Sequence, residues 1–570
     1  MRILSLILIS MALLFSASTQ AAESTKKSKS KSKPKELTFI MLNLYTKNYK
    51  DFVLHDENHA TVHKFSGAKF ADKALPGDIV TMTETGCKLV KRANHPPIAG
   101  LLELNSKTKY GFTAKNHPIY LFIPFNESYP PFVVGSSEKD TSKNRLALIK
   151  FDLWTDTFPR GNLQQLLDSE MEALSWTYTP LACQKYKGLL PEAPIINQRP
   201  LVNAFHIDPP DCRDVDDVLS ITTENDQTYI TITISDVAAH IPKDHPLDIR
   251  ANAIAQTFYQ DGNKPRHVFP PELSEDRLSL LPSAIPKLGL SLKFSLNNPN
   301  QVTWFESQVN TTDSYTYESV YNDQPICDTL KLMAKTLNEP TDDSHKWIEV
   351  AMKFYNTEAA KLLQANQTGL LRSHDKPNED KLKNLMKINS DLQFLAYSSA
   401  MYVKSSEPNP YHFGLQTAAY THATSPIRRY ADLINQRSIK ALLNQQPIPQ
   451  SPNPYTLNVV AKQAKRHDRD LTFIRALQTT TSNESNHKTV SGQVLQLTQE
   501  DPALTKLSIY VADWQLMVKL RYKTGDSPNT IVSKDEKTTH KIQEGQIVTL
   551  TYHADMTARN WKKRMVIRLS

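Results

Sequence analysis

Residues 206–219 read HIDPPDCRDVDDVL and place five aspartates, Asp208, Asp211, Asp214, Asp216 and Asp217, within ten residues. Carboxylates packed this densely repel one another unless they point into water or share a cation. Spacing alone leaves both readings open. An EF-hand-type Ca²⁺ loop is a further alternative, but counting from Asp208 as first ligand puts Arg213 where such a loop needs its glycine.

The flanks say how the cluster is carried. Residues 201–207 form a strand-like run that leads straight into Asp208. Farther on, Ile230, Ile232 and Ile234 alternate with Thr231, Thr233 and Ser235, the period of two expected of a half-buried strand. That strand ends at Asp236, so two strand ends are expected to bring Asp208 and Asp236 near one another. Helical patterns follow at 343–364, 378–404, 425–443 and 457–477. This mixed α and β block spans 196–484.

A second dense stretch, YTHATSPIRRYAD, covers 420–432. Ser425 before Pro426 reads as a helix N-cap with proline at the first helical position. Ile427, Tyr430, Ala431 and Ile434 then form the buried stripe, and Arg428 and Asp432 share a neighbouring face. Two arginines in a first turn oppose the helix dipole, a local cost that makes sense if a phosphate or an acidic cluster lies opposite. The plainer alternative is a structural Arg–Asp pair, which at a surface contributes about 0–1 kcal/mol.

The ends of the chain are different. Arg2, an apolar run at 3–15 and the small residues through Ala22 have the three parts of a secretory signal peptide, 1–22, so export to the periplasm or medium is expected. A start farther downstream would leave a cytoplasmic form. The apolar run is shorter than the roughly 20 residues a bilayer needs, and no later stretch qualifies as a span. Residues 23–36 alternate Lys and Ser and read as a solvated basic linker. Short apolar runs at 39–41, 52–54, 79–80 and 119–123 suggest two small β-barrels, 37–93 and 94–195 with its linker. Aromatics and lysines interleave in the first (Tyr45, Tyr49, Phe52, Lys64, Phe65, Lys69, Phe70), as barrel core or as a stacking surface for single strands. Strands return at 485–570, which fits a five-stranded OB barrel. The whole is an α+β multidomain chain, a mixed α/β block flanked by OB-fold barrels.

A chain of 570 residues is too long for one core. Its formal charge of +8 is compatible with a polyanionic partner. The four cysteines, Cys87, Cys183, Cys212 and Cys327, have no CxxC spacing, which argues against a zinc site.

Taken together, residues 207–219 and HFGLQTAAYTHATSPIRRYADLINQR (412–437) resemble the catalytic domain of the ribonuclease II/R family. TISDVAAH at 233–240, the 248–259 segment, Arg372-Ser-His374 before Pro377, and the order of barrels fit the same family. The resemblance implies two cold-shock-like barrels, an RNB catalytic domain and an S1-like barrel. It also implies a Mg²⁺-dependent, processive 3′→5′ exoribonuclease that acts on single-stranded RNA and releases nucleoside 5′-monophosphates. By position, Asp208, Asp214, Asp216 and Asp217 match the family's metal-site carboxylates, with Asp216 the one essential to catalysis. Arg428 matches the arginine that stabilises the charged phosphate, with Arg429 beside it as a substrate-binding residue. Tyr259 resembles the aromatic that stacks on the 3′-terminal nucleotide. A monomer is expected. Departures are Val268-Phe269-Pro270 for the family's Met-Leu-Pro, Lys287 for a common Arg, and Asp468 for a glutamate on the late helix. A catalytically silent RNA-binding protein on the same fold, and a metal phosphoesterase acting on DNA, are the competing expectations.

Overall fold

The computed structural model describes residues 41–570 apart from 58, 195–197, 261–262, 409, 481–486, 527–528 and 533–537. The apolar leader, the Lys/Ser linker and residues 39–40 therefore lie outside the described residues. No described helix is long and apolar enough to cross a membrane.

Among the described residues, four larger β-systems follow one another along the chain, besides two two-stranded pairs. The first is a five-stranded antiparallel sheet over residues 42–91, with its two end strands unjoined. Of its interleaved aromatics, Tyr49 and Phe52 are core and Phe52 stacks on Phe65 at 5.0 Å. The second is a closed five-stranded barrel over residues 98–166. The third is also closed and lies at the heart of the mixed block: Leu201–Ile207, Asp217–Glu224, Gln227–Ser235, Lys287–Ser295 and Asn298–Tyr315. On one face of its sheet, Ile230, Ile232, Ile234, Leu290 and Leu292 pack against the long helix Ser344–Ala365 through Trp347, Ala351 and Tyr355. That helix starts where Asp343 accepts the backbone N–H of His345, an N-cap as the sequence pattern suggests.

The fourth system is a sheet of seven strands over residues 488–569. The five expected strands are present, and two short ones, Thr530–Val532 and Thr539–Lys541, extend the edge beyond Leu516–Thr524.

One helical expectation fails. Residues 378–404 are not a single helix: Glu379–Ile388 stops at extended Asn389, a 3-10 turn runs Ser390–Ala396, and Met401–Lys404 is a strand paired with Leu370–Ser373. Asn389 accepts from the N–H of Asp391, so its side chain restarts the turn instead of letting the helix continue. Tertiary packing completes the break, because Leu385, Leu392 and Ala396 bury against Tyr510 of the last sheet.

Candidate active site

The aspartate loop closes one end of the central barrel. Leu201–Ile207 ends at Asp208, whose N–H donates to the carbonyl of Tyr315 at 3.1 Å. The loop is then pinned from inside: Val215 N–H donates to Ser279 Oγ at 3.1 Å, and Val215 is buried with Val202, Val218, Leu280 and Val309. With Val215 inward, Asp214 and Asp216 flank it, and Asp217 opens the next strand opposite Ile234. Ser235 N–H donates to the Asp216 carbonyl at 2.8 Å. Asp211, at φ 62, is exposed and stands apart as loop.

The second stretch meets this loop differently from the sequence expectation. The helix runs Tyr430–Leu443, and residues 425–429 are a turn before it, with Arg429 at the cap. Arg428 and Arg429 are therefore not in a first turn. A carboxylate from another segment takes a backbone donor that a Ser425 cap would have used, that of Ile427. Ser425 N–H donates to Asp432 Oδ1 at 2.8 Å, and Ile427 N–H donates to Asp216 Oδ1 at 2.8 Å. The two arginines then separate. Arg429 is held by Asp432 through Nε at 2.9 Å and Nη2 at 2.8 Å, so the structural Arg–Asp pair exists but involves the second arginine. Those contacts commit one edge of its guanidinium. Arg428 Nε lies 3.3 Å from Asp216 Oδ2, with its side chain 45% exposed.

Asp216 is the most constrained carboxylate. It is 4% exposed, and its Oδ2 is buried with no hydrogen-bond partner. Burial raises its pKa well above the usual carboxylate range; Arg428 and the Ile427 N–H oppose this, while Asp214 and Asp217 add to it. Asp217 is pushed up to about 7, by burial first and by Asp208 second. Burial works against the charge on Arg428, and Asp216, Tyr259, Asp217 and Asp214 together outweigh it, so the guanidinium is held protonated more firmly than usual. Asp214 accepts the hydroxyl of Tyr259 at 2.6 Å. Burial and that carboxylate raise the Tyr259 pKa, although the residue keeps 44% of its surface exposed. Asp208 Oδ2 faces His206 Nδ1 at 2.9 Å, and His206 Nε2 faces Ser314 Oγ at 2.8 Å.

Asp217 gives a pH test. Its folded pKa of about 7 exceeds the ordinary 3.8, so the folded state binds this proton more tightly than the unfolded chain does. Stability from this group is therefore present at low pH and is lost as pH rises from about 4 to about 7. In metal-free buffer, Asp217→Asn should melt about 3 °C or more above the wild type at pH 8, the gap closing towards pH 4. A gap that is constant with pH, or that widens on acidification, would contradict the assignment.

Several expected neighbours lie elsewhere. Asp236 stands one residue past its strand, two strands over from Asp208. Its carboxylate caps Ala239 and pairs with Arg199 at 2.9 Å and Lys440 at 2.5 Å, beside Glu306. Asp468 is 72% exposed on its helix, with its carboxylate 3.4 Å from His467 Nδ1. Two residues were not anticipated. His206 sits two positions before Asp208 in a strand, so the period of two would have placed both on one face. Tyr317 stacks on His345 at 3.8 Å, and its hydroxyl is pushed up to about 12 by burial, Asp208 and Asp217. No local pattern marks Tyr317.

An all-oxygen set of four aspartates suits a hard divalent cation, and the buried Oδ2 of Asp216, which faces Arg428 but has no hydrogen-bond partner, is an atom such an ion would satisfy. As placed, no three His, Cys, Asp or Glu side chains among the described residues converge closely enough to hold one. Tyr259 and His206 occupy oxygens of Asp214 and Asp208. The donor chemistry fits, and those two contacts are the ones that binding would rearrange.

Comparison with known proteins agrees with this architecture. Residues 201–323 and 321–445 match the RNB domain, a stretch that holds the barrel, the aspartate loop and the turn at 425–429. The chain is similar to ribonuclease R proteins. It is 26% identical over 491 residues to ribonuclease R of Helicobacter pylori, covering 68% of this chain and 74% of that protein. It is 25% identical over 341 residues to ribonuclease R of Buchnera aphidicola, covering 45% of this chain but only 47% of that protein. Among solved structures, Mycoplasma genitalium RNase R in complex with ribose-methylated single-stranded RNA aligns at TM-score 0.67 and 15% identity, covering 93% of this chain and all of that one. Yeast Ssd1, described as a pseudonuclease, aligns at TM-score 0.63 and 13% identity, covering 93% and 97%. At such identities the two structures share the fold.

Proposed function

We propose that this chain is a Mg²⁺-dependent, processive 3′→5′ exoribonuclease that hydrolyses single-stranded RNA to nucleoside 5′-monophosphates. The observation that carries the reading is the contact of Asp216 with the turn at 425–429. It sets a buried carboxylate oxygen that has no hydrogen-bond partner 3.3 Å from the Nε of a half-exposed arginine that Asp432 does not claim. Hydrolysis of a phosphodiester needs an activated water, stabilisation of the extra negative charge, and help for the departing 3′ oxygen. Asp208, Asp214, Asp216 and Asp217 would hold Mg²⁺, which when bound supplies charge neutralisation and water activation. Arg428 approaches from the open side and meets the phosphoryl oxygens, its charge secured by the carboxylates behind it. Tyr259 gives an exposed ring for stacking the terminal base. The basic balance of the chain and its flanking β-systems suit an unpaired strand. We read the chain as a monomer, and as exported by its apolar leader; N-terminal mapping of the protein from fractionated cells tests the latter.

The test of activity uses 5′-labelled RNA. With Mg²⁺ the chain should shorten it one nucleotide at a time and release 5′-monophosphates, and EDTA should lower the rate by about 10³-fold or more. Internal cuts only, or indifference to Mg²⁺, would refute the reading. A second reading, a silent RNA-binding protein, is favoured by two facts: no three of the site's acidic and histidine side chains converge among the described residues, and a pseudonuclease shares the fold. Tight RNA binding without turnover by the wild-type chain would establish it.

A further inference from the structure

Behind the hairpin that carries Tyr259 lies a cavity of about 620 Å³, separate from the carboxylate site. Its lining includes Lys185, Arg250, Arg266 and His267, opposed by Glu272 and Glu275. Glu275 faces His267 Nε2 at 3.2 Å, and Arg250 donates Nη2 to the Gln184 carbonyl at 2.7 Å. Two side-chain nitrogens here are buried without a hydrogen-bond partner: Nε of Arg266 and Nδ1 of His267. An unpaired buried polar group costs about 1–3 kcal/mol, more when charged. A guanidinium in that state beside open volume is a place where a phosphate, with its matched geometry, gains most. The volume lies within the roughly 300–1,000 Å³ of small-molecule sites and far exceeds the need of one phosphate group. Tyr186 supplies a half-buried ring, with the Arg250 guanidinium 5.9 Å from its centroid.

We infer that this cavity binds a nucleoside monophosphate, its phosphate among Arg266, Arg250 and Lys185 and its base against Tyr186. The cavity wall is also the frame of the active site. Phe258 pairs with Arg266, Val268 N–H donates to Thr257 Oγ1 at 3.2 Å, and Thr257 N–H donates to the Arg428 carbonyl at 2.8 Å. Binding requires no turnover, so this inference can fail or hold whether or not the chain hydrolyses RNA.

The test is photolabelling of the full chain, in EDTA, with azido-adenosine monophosphate, followed by peptide mapping. Saturable label is expected within residues 182–186 or 265–272, displaced by AMP but not by equal concentrations of adenosine or inorganic phosphate. Arg266→Gln should weaken labelling by about tenfold or more, with an unchanged melting temperature. Lys185→Gln, at an exposed position that tolerates change, should weaken it in the same direction. Label confined to the surroundings of Asp216 and Tyr259 would overturn the inference. So would displacement by adenosine or phosphate as effective as by AMP, or labelling unaffected in both variants.

Discussion

Replacing Asp216 by Asn is expected to lower the rate of RNA hydrolysis by about 10³-fold or more while leaving RNA affinity within a few-fold of the wild type. Transition-state stabilisation through a carboxylate-held cation contributes several kcal/mol, and each ~1.4 kcal/mol is a factor of ten. The substitution isolates charge from structure. The side-chain oxygen of Asn can still accept the Ile427 N–H that now reaches Asp216 Oδ1 at 2.8 Å, so the loop and the turn stay joined. What is lost is the carboxylate charge beside Arg428, with Oδ2 replaced by an amide nitrogen. Because burial raises the Asp216 pKa well above the ordinary range, the wild-type carboxylate is costly to keep ionised near neutral pH. The variant should therefore melt no lower than the wild type at pH 7–8 in metal-free buffer. Single-turnover rates, filter binding and a thermal melt together decide the matter. Undiminished hydrolysis would remove Asp216 from the chemistry, and a parallel loss of RNA binding would show that it serves the fold or the substrate instead.

How far the sequence reveals this site depends on the range of the interactions involved. The central barrel strands are legible because alternation of Ile and Thr at 230–235 is a local signal of one buried face. The dense aspartates are legible as a group, yet their division is not: Asp211 turns out and Asp216 turns in because Val215 is pinned by Ser279 and Leu280, more than sixty residues away. The turn at 425–429 shows the same limit. Ser-Pro is a sound local cue for a helix start, but the N–H of Ile427 is claimed by a carboxylate 211 positions earlier, which local capping rules cannot see. Asp236 follows its strand as expected, yet its carboxylate is taken by the cations Arg199 and Lys440, which lie far from it in sequence. The break at Asn389 follows from a side chain that restarts a turn and from burial against Tyr510, and only the first half of that is written locally.

The pair Arg428 and Arg429 makes the sharpest test of this division, because adjacent residues of the same type should fail in opposite ways. Arg429→Gln removes both bonds to Asp432, whose side chain is fully buried and keeps only the Ser425 N–H. Breaking one side of a buried pair costs about 3–5 kcal/mol. At about 2–4 °C per kcal/mol for a domain of this size, the melting temperature should fall by about 10 °C. Arg428→Gln meets a different environment. Its side chain is 45% exposed, 3.3 Å from Asp216 and donating Nη2 to Ser425 Oγ at 3.1 Å, so less buried structure depends on it. The charge left on Asp216 is relieved by protonation, which burial already favours. The melting temperature should move by only about 2 °C, while the hydrolysis rate falls by about 10²–10³-fold, the size expected for one donor facing the developing phosphoryl charge. Arg428→Lys keeps the charge without the planar fork and should recover only part of that loss. If Arg428→Gln unfolds the chain while Arg429→Gln leaves the melt unchanged, the two roles are reversed and the assignment of Arg428 to the phosphate is wrong.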